Sequence, residues 1–520
     1  MTGRTLARAG LIVTAAFLLS RVLGWVRLVV ITNLFGATTE LDAYFAAFRV
    51  PDALFQLVAA GALSSALIPV LAGLFTRGED DRAWRVVSTV LNAMLLVLAS
   101  LALVVAIFAS EIVPIVTPGF DLVTTELTVR LTRIMLLSPV LLALGSVASA
   151  VLNGRGRFAA AATAPLFYNG AVIFAAIFLA PWLGIEALAI GVVVGSMLHL
   201  LVQLPALVGE RFRLSFNIDL ADPAARQALL LMAPRALGLG AAQVTFIVNT
   251  SLATSIGVGA VTAYTVAFTI LQIPVGVIAM SLGVVIFPVL SRALAAGAIG
   301  QYGTLVVRAL RLMLYTMLFS AAIGIVLRRQ VVTLLFGYGF DDRAIDLTAN
   351  TLLILLIGLA AHSMNTILAR AFYSAQDTRT PVMVAVTAVV VNVVVSLTTV
   401  SSLGLSGLAL GIAMGAWFEA IALALLLWQR LPGVAIGSLV RPFALFAVGA
   451  AISALAAMLV VRGAEMLLGT EPGYVELLGI VLAAAAAGAL VYVAFSVLFK
   501  VPELGQTWSL VRAQVRRRQP

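Results

Sequence analysis

Residues 68–71 read Ile-Pro-Val-Leu and residues 287–290 read Phe-Pro-Val-Leu, and each tetrapeptide closes an apolar stretch. An earlier pair, Arg-Val-Pro at 49–51 and Gln-Ile-Pro at 272–274, precedes them. The offset of 219 residues between the tetrapeptides indicates a repeat of six helices. Duplicated halves around a central site are common in transporters. Short proline motifs also match by chance, so this observation alone leaves open both a true repeat and a chance match.

The composition identifies the class of protein. The chain has 520 residues, of which 62% are hydrophobic and only 10% are charged. Soluble domains are about 45–50% apolar and about 25% charged, so a water-soluble enzyme is excluded. The absence of cysteine excludes disulfides and thiolate metal sites. We expect an all-α polytopic membrane protein.

Polar residues divide the chain into fourteen segments of the roughly 20 residues that a spanning helix needs. We expect these segments to begin near Ala7, Tyr44, Val86, Glu126, Phe158, Ile185, Ala224, Val261, Tyr302, Asp346, Pro381, Leu405, Ser438 and Tyr474. With the repeat, they predict two pseudo-symmetric six-helix lobes, residues 1–222 and 223–432. Two further helices and a basic tail occupy residues 433–520.

The basic residues of the connections predict the orientation. Of 32 Lys and Arg residues, we place 21 on the side of the termini, 4 on the opposite side and 7 inside segments. Short loops rich in Lys and Arg stay in the cytoplasm, so we expect both termini there. No small-residue cleavage site follows the first apolar run before Arg21, so we expect a retained first helix.

The seven arginines inside segments are the most informative residues, because a charge at that depth usually faces a cavity, a partner or the interface. For three of them we favour snorkelling or structural pairing: Arg130, Arg133 and Arg311. The other four are Arg21, Arg27, Arg49 and Arg235.

Arg21 and Arg27 lie in mid-segment, six residues and about 120° apart on an ideal helix. A bend at Gly24 would turn both toward one cavity. Asp42 and Arg49 lie seven residues apart, on nearly one face of the second segment. A self-neutralising network of these four residues is one interpretation. Three arginines against one carboxylate leave a positive excess, so we favour an anion site.

Residues for catalysis or metal binding are not clustered. His199 and His362 occur singly among apolar residues, so we expect packing roles and no metal site. Acidic residues lie almost entirely in loops, which argues against general acid–base catalysis. We expect no enzymatic activity and no cofactor.

Motifs that occur in order along nearly the whole chain include Ser20-Arg21-Val22-Leu23-Gly24, Leu34-Phe35-Gly36-Ala37, Asp42-Ala43-Tyr44-Phe45, Ala47-Phe48-Arg49-Val50-Pro51, Gly61-Ala62-Leu63-Ser64, Pro69-Val70-Leu71, Gln203-Leu204-Pro205 and Phe372-Tyr373-Ser374-Ala375-Gln376-Asp377-Thr378-Arg379-Thr380-Pro381. The chain resembles the MurJ (MviN) lipid II flippases of bacterial peptidoglycan synthesis, within the multidrug/oligosaccharidyl-lipid/polysaccharide exporter superfamily. This resemblance implies two lobes around a cationic central cavity, with a lipid-tail groove formed by the last two helices.

The resemblance also implies substrate-binding residues. It matches them to Arg21, Arg27, Asp42 and Arg49, which are the residues that the charge pattern isolates. We place hinges in the helices at Gly24, Pro51 and Pro274.

This chain departs from the family pattern at several charged positions. Family residues that are commonly charged in the first, second and eighth helices are replaced here by Leu28, Phe55, Gln56, Ala60 and Thr269. Conversely, Arg235 stands where a small or apolar residue is expected, and we hypothesise that it supplies part of the missing cavity charge.

A sodium site is not expected from this sequence. Family members with such a site carry carboxylates in the seventh and eleventh helices, and the nearest positions here are Asn249, Asn392 and Ser396. A site without carboxylates would bind the ion weakly.

The resemblance implies a lipid II flippase of the bacterial plasma membrane that works by alternating access. Expected partners are lipid II, or a similar anionic polyprenyl-diphosphate glycolipid, and membrane lipids. We expect no nucleic acid partner and a monomer. A flippase for another polyprenyl-diphosphate oligosaccharide and a non-transporting scaffold of the cell-wall machinery remain alternatives. The arginines argue against a drug exporter, whose cavity is typically acidic.

Overall fold

The computed structural model describes residues 3–60, 63–209, 213–430, 436–469 and 472–506, and the regular elements in these ranges are helices. The chain divides into two compact units, Met1–Thr262 and Ala263–Pro520. The predicted lobe boundary at residue 222 therefore remains a proposal.

The helices up to the end of the first unit are α1 (Gly3–Phe35), α2 (Thr39–Phe55), α3 (Leu63–Thr76), α4 (Asp80–Ile107), α5 (Ala109–Val116), α6 (Leu122–Met135), α7 (Leu137–Gly154), α8 (Phe158–Phe174), α9 (Ala180–Leu183), α10 (Glu186–Leu201), α11 (Leu204–Val208) and α12 (Pro223–Thr254). The remaining helices are α13 (Ala260–Pro274), α14 (Met280–Ala295), α15 (Ile299–Phe336), α16 (Asp342–Ile357), α17 (Leu359–Ser374), α18 (Arg379–Leu403), α19 (Leu405–Arg430), α20 (Val440–Leu468) and α21 (Tyr474–Leu498).

Most of these helices are suited to a membrane. In the described ranges they form eleven helical stretches long and apolar enough to cross it, some of them made of two consecutive helices, or twelve if the bent pair α16 and α17 is one span. Large apolar side chains such as Leu96, Leu103 and Ile107 are exposed on them, as expected for helices that face lipid. The prediction of an all-helical multi-pass membrane protein is confirmed. The segments predicted near Tyr44 and Ala224 form α2–α3 and α12, which are not among the twelve, so the count of fourteen stays a prediction.

The sequence repeat coincides with two similar helix interruptions. Pro51 lies inside α2, and a π-helical turn follows at Gln56–Ala60. Pro274 ends α13, and a π-helical turn follows at Val275–Ala279. Prolines and π-helical turns are recognised causes of helix bends. The order helix, π turn, helix therefore occurs in both sequence copies, whereas α1 continues through Gly24 without a break.

Close packing of α10 on α8 positions one side of the site described below. A Cβ atom at Gly195 would lie 2.8 Å from the carbonyl oxygen of Tyr168 on α8, and one at Gly191 would lie 2.7 Å from the Cβ of Ala175, the first residue of the π-helical turn that follows α8. Small residues permit such approach between membrane helices. Because α8 also packs along α1, Tyr168 is held beside the first helix.

In the second unit, polar and aromatic contacts attach α21 and the residues after it to α15. The Tyr492 hydroxyl donates to the Tyr315 carbonyl oxygen at 2.8 Å, and their rings stack with centroids 4.8 Å apart. The Tyr315 and Ser496 hydroxyl oxygens are 2.9 Å apart. Arg311 Nε lies 2.7 Å from Glu503 Oε1.

An ion pair forms at the start of α12, and we expect it to make the stability of the protein depend on pH. Arg82 Nε donates to Asp222 Oδ2 at 2.9 Å, and the Ala224 amide donates to Asp222 Oδ1 at 2.7 Å. Asp222 is therefore the N-cap of α12. The hydrogen bonds from the Arg82 guanidinium hold the pKa of Asp222 below its usual value.

We expect Asp222→Asn to destabilise the protein by about 1 kcal/mol at neutral pH, because it removes the ion pair and weakens the cap. A carboxylate with a lowered folded-state pKa contributes its stability above the unfolded pKa of about 3.9 and loses it as pH falls through the folded value. Thermal unfolding of the detergent-solubilised protein should therefore separate wild type and variant at pH 7 but not in strong acid. A difference that persists in acid would contradict the assignment.

Candidate functional site

Arg27 of α1 lies against Tyr168 of α8. The Arg27 Cζ atom is 5.6 Å from the centroid of the Tyr168 ring. A guanidinium over an aromatic face is attracted by the ring quadrupole. This contact orients the Arg27 guanidinium but does not neutralise it, because the tyrosine carries no negative charge.

Arg49 of α2 reaches α12. Its Nε donates to the Thr250 hydroxyl at 2.9 Å, and its Cζ lies 5.5 Å from the centroid of the Phe246 ring. Thr250 and Phe246 are four residues apart, so they share one face of α12. Both contacts orient the guanidinium and neither cancels its charge.

Asp52 supplies the carboxylate beside these two arginines. Its carboxylate interacts electrostatically with Arg49 and Arg27, and the side-chain amides of Gln56 and of Gln243 on α12 lie beside it. Because Asp52 follows Arg49 by three residues on α2, both lie on one helix face.

These contacts define a cluster that we call the arginine site: Arg27, Arg49, Asp52, Tyr168 and Gln243. Two guanidinium groups and one carboxylate leave one net positive charge. Guanidinium presents a planar fork of N–H donors that matches phosphate oxygens, so the cluster is chemically suited to an anion such as a diphosphate.

Asp42 forms a different set of contacts. Its carboxylate accepts hydrogen bonds from the amides of Gly259 and Thr262, both at 2.7 Å, and from the Thr262 hydroxyl at 2.6 Å. The first amides of a helix have no partner within it, and a capping carboxylate satisfies them. Asp42 is only 1% exposed and caps the start of α13.

The other predicted substrate-binding residues are placed as follows. Arg21 is exposed on α1, six residues before Arg27. Arg235 lies on α12, and its side chain is outside the part of the chain that the structure describes. In the structure Arg27 and Arg49 both interact with the Asp52 carboxylate. No such interaction is described for Arg21 or Arg235.

Three arginines inside predicted spans are structurally engaged, as predicted. Arg130 Nη1 lies 2.7 Å from Glu186 Oε1, and Arg311 pairs with Glu503. Arg133 Nε donates to the Ala106 carbonyl oxygen at 3.0 Å.

The three positions considered for an ion lie in different units. Asn249 is 1% exposed on α12, and neither side-chain polar atom has a hydrogen-bond partner among the described residues. In the second unit, Ser396 Oγ donates to Asn392 Oδ1 at 3.0 Å. No group of three or more His, Asp or Glu side chains in the described ranges could hold a metal ion.

Sequence reasoning missed Asp52 and Tyr168. Asp52 could have been found from its i, i+3 spacing to Arg49. Tyr168 carries no charge and follows Ala164-Pro165 in an apolar helix, so nothing in the sequence singles it out.

The sequence matches a known protein family and several of its members. Residues 31–502 match the family model described as lipid II flippase MurJ. The lipid II flippase MurJ of Burkholderia cenocepacia is 34% identical, over 82% of this chain and 84% of that protein. The probable lipid II flippase MurJ of Rhizobium tropici is 28% identical, over 99% of this chain and 98% of that protein.

Two solved structures share the fold. Lipid II flippase MurJ in an inward closed conformation has a TM-score of 0.77 at 22% identity, over 94% of this chain and 98% of that chain. An inward-facing multidrug resistance MATE family transporter of the MOP superfamily has a TM-score of 0.68 at 18% identity, over 81% of this chain and 96% of that chain.

Proposed function

Because this chain belongs to the lipid II flippase MurJ family, we propose that it moves lipid II from the cytoplasmic to the outer leaflet of the bacterial plasma membrane. It is a transporter and not an enzyme. The observation that carries the proposal is the arginine site, where Arg27 and Arg49 interact electrostatically with the carboxylate of Asp52. The net positive charge suits the diphosphate of a polyprenyl-linked glycolipid.

The proposed mechanism is alternating access. The polar head enters from the cytoplasmic side and its diphosphate pairs with Arg27 and Arg49, while the polyprenyl tail stays in lipid along a groove formed by the last two helices, α20 and α21. Rocking of the two lobes, with bends at Pro51 and Pro274, then opens the site outward. An inside-negative potential favours outward movement of an anion by about 2.3 kcal/mol per charge per 100 mV.

In this mechanism the Asp52 carboxylate attracts the guanidinium groups of Arg27 and Arg49 when no substrate is bound. Its carboxylate acts on both guanidinium groups, so a bound diphosphate competes with it for the same charges. Asp42 is engaged elsewhere, because its carboxylate accepts three hydrogen bonds at the start of α13.

Arg21 and Arg235 are proposed to add positive charge along the path of the head group. Both termini are proposed to lie in the cytoplasm, and the transporter is proposed to act as a monomer.

The experiment places this chain in bacteria depleted of their own lipid II flippase and measures how much lipid II becomes accessible at the outer face. We expect wild type to restore exposure, Arg27→Ala in the arginine site to remove most of it at equal expression, and Arg21→Ala to reduce it. Well-expressed protein that restores nothing would favour another polyprenyl-diphosphate glycolipid or a scaffold. If Arg235→Ala transports normally while Arg21→Ala does not, the role proposed for Arg235 is wrong.

A further inference from the structure

A second carboxylate lies deep in an apolar helix, in the second unit. Glu419 is the only acidic residue of α19, 14 residues from its first residue and 11 from its last. At about 1.5 Å per residue it lies about 21 Å and about 16 Å from the two ends, which places it near the middle of a span. The arginine site does not include it, because that site belongs to the first unit.

The partner of Glu419 is a buried amide. Asn365 Nδ2, on α17, donates to Glu419 Oε2 at 3.0 Å and to the Ala416 carbonyl oxygen at 3.2 Å. Asn365 is only 9% exposed, and its Oδ1 is buried without a hydrogen-bond partner among the described residues. A buried acceptor without a donor is costly, so this oxygen indicates that a donor is missing.

No basic side chain in the described ranges forms an ion pair with Glu419, and its only hydrogen-bond partner is Asn365. The other charged side chains and the histidine on α19 itself and on the helices that contact it lie within six residues of a helix end, and His362 lies next to the bend between α16 and α17. They are Asp342, Arg343 and Asp346 on α16, His362 and Arg370 on α17, Arg379 on α18, Arg430 on α19, and Arg441, Arg462 and Glu465 on α20.

A bare carboxylate at this depth is strongly disfavoured, and either a proton or a metal cation would neutralise it. The oxygens available are the carboxylate pair, Asn365 Oδ1 and the Ala416 carbonyl oxygen. Ca²⁺ takes six to eight oxygen ligands, and no cluster of three acidic or histidine side chains occurs in the described ranges. The ligand set is too small for such a cation and sufficient for a proton.

We propose that Glu419 and Asn365 form a proton-binding site, and that Glu419 takes up or releases one proton during the transport cycle. The proton uptake or release during transport rests on the function proposed above, whereas the proton-binding site itself does not. The proton moves between a Glu419 carboxyl oxygen and water, and only O–H bonds form and break. When protonated, the carboxyl group supplies the donor that Asn365 Oδ1 lacks.

Infrared spectroscopy of the purified full chain in lipid tests the site without requiring transport. We expect wild type to show the C=O stretch of a protonated carboxylic acid, which disappears in Glu419→Gln. The matched control is Glu465→Gln, an exposed acid on α20, which should keep the band. Asn365→Leu should shift the band because it removes the hydrogen-bond partner. Absence of the band in wild type, or its persistence in Glu419→Gln, would overturn the site.

Proton exchange tests the coupling. Lipid II is added to weakly buffered, detergent-solubilised protein with a pH-sensitive dye, and binding of lipid II is measured in parallel. We expect one proton per bound lipid II for wild type and Glu465→Gln, and none for Glu419→Gln. Binding without proton exchange in wild type overturns the coupling. Absence of lipid II binding contradicts the proposed function, and the infrared result still decides the proton site.

Discussion

Arg27→Ala is expected to reduce lipid II exposure at the outer face by about 10- to 100-fold, in cells that depend on this protein. A hydrogen bond to a charged group contributes about 1.5–3 kcal/mol, and each 1.4 kcal/mol is tenfold. Arg27 is oriented by Tyr168 and retains donors for an anion. Arg27→Lys should recover only part of the activity, because an ammonium lacks the planar fork of donors.

The matched control is Arg130→Ala, which removes an arginine from a predicted span without touching the site. Arg130 pairs with Glu186 near the start of α10, and its side chain is 61% exposed. Exposed ion pairs contribute at most about 1 kcal/mol, so expression and transport should stay near wild type. Equal losses in both variants would show that any arginine deletion harms folding, and the assignment of Arg27 to the substrate would then be wrong.

Asp42→Ala is expected to destabilise the protein by about 3 kcal/mol or more, because it removes the acceptor of three buried hydrogen bonds. Each buried donor left without a partner costs about 1–3 kcal/mol. The donors are the Gly259 amide and the Thr262 amide and hydroxyl. The measurement is thermal unfolding in detergent together with lipid II exposure per folded molecule.

Asp42→Asn and Asp52→Asn distinguish capping from substrate competition. Asp42→Asn keeps one acceptor oxygen, so it should recover part of the stability, with exposure per folded molecule close to wild type. Asp52→Asn should leave thermal stability nearly unchanged and tighten binding of lipid II, because the competing charge is gone. Normal stability with lost transport in Asp42→Ala would instead place Asp42 in substrate binding.

The helical membrane class could be predicted because the bilayer imposes it locally. A spanning helix must satisfy its own backbone and carry about 20 apolar residues, and both conditions can be assessed one segment at a time. The same reasoning identified Arg27 and Arg49, since a charge inside an apolar segment is costly and visible in the sequence. The π-helical turns after Pro51 and Pro274 fall at the prolines that marked the repeat.

Which side chains contact one another across distant helices could not be predicted in the same way. Asp42 and Asp52 are both acids close to Arg49 in sequence, and their chemistry alone does not distinguish them. The capping partners of Asp42 lie more than 200 residues away, and so does the Thr250 partner of Arg49. Glu419 likewise acquired a role only when α17 brought Asn365 against it.

The amino-acid sequence by itself determined that this chain is an all-helical membrane protein with arginines inside its apolar segments, because hydrophobic length and charge are properties of single segments. Only the tertiary structure decided that Asp42 caps α13 and that Asp52 faces Arg27 and Arg49. It also placed Tyr168 beside Arg27, through the close contact of α8 with α10 at Gly195. The physical reason is that partners are chosen by helix packing, which depends on shape across distant segments.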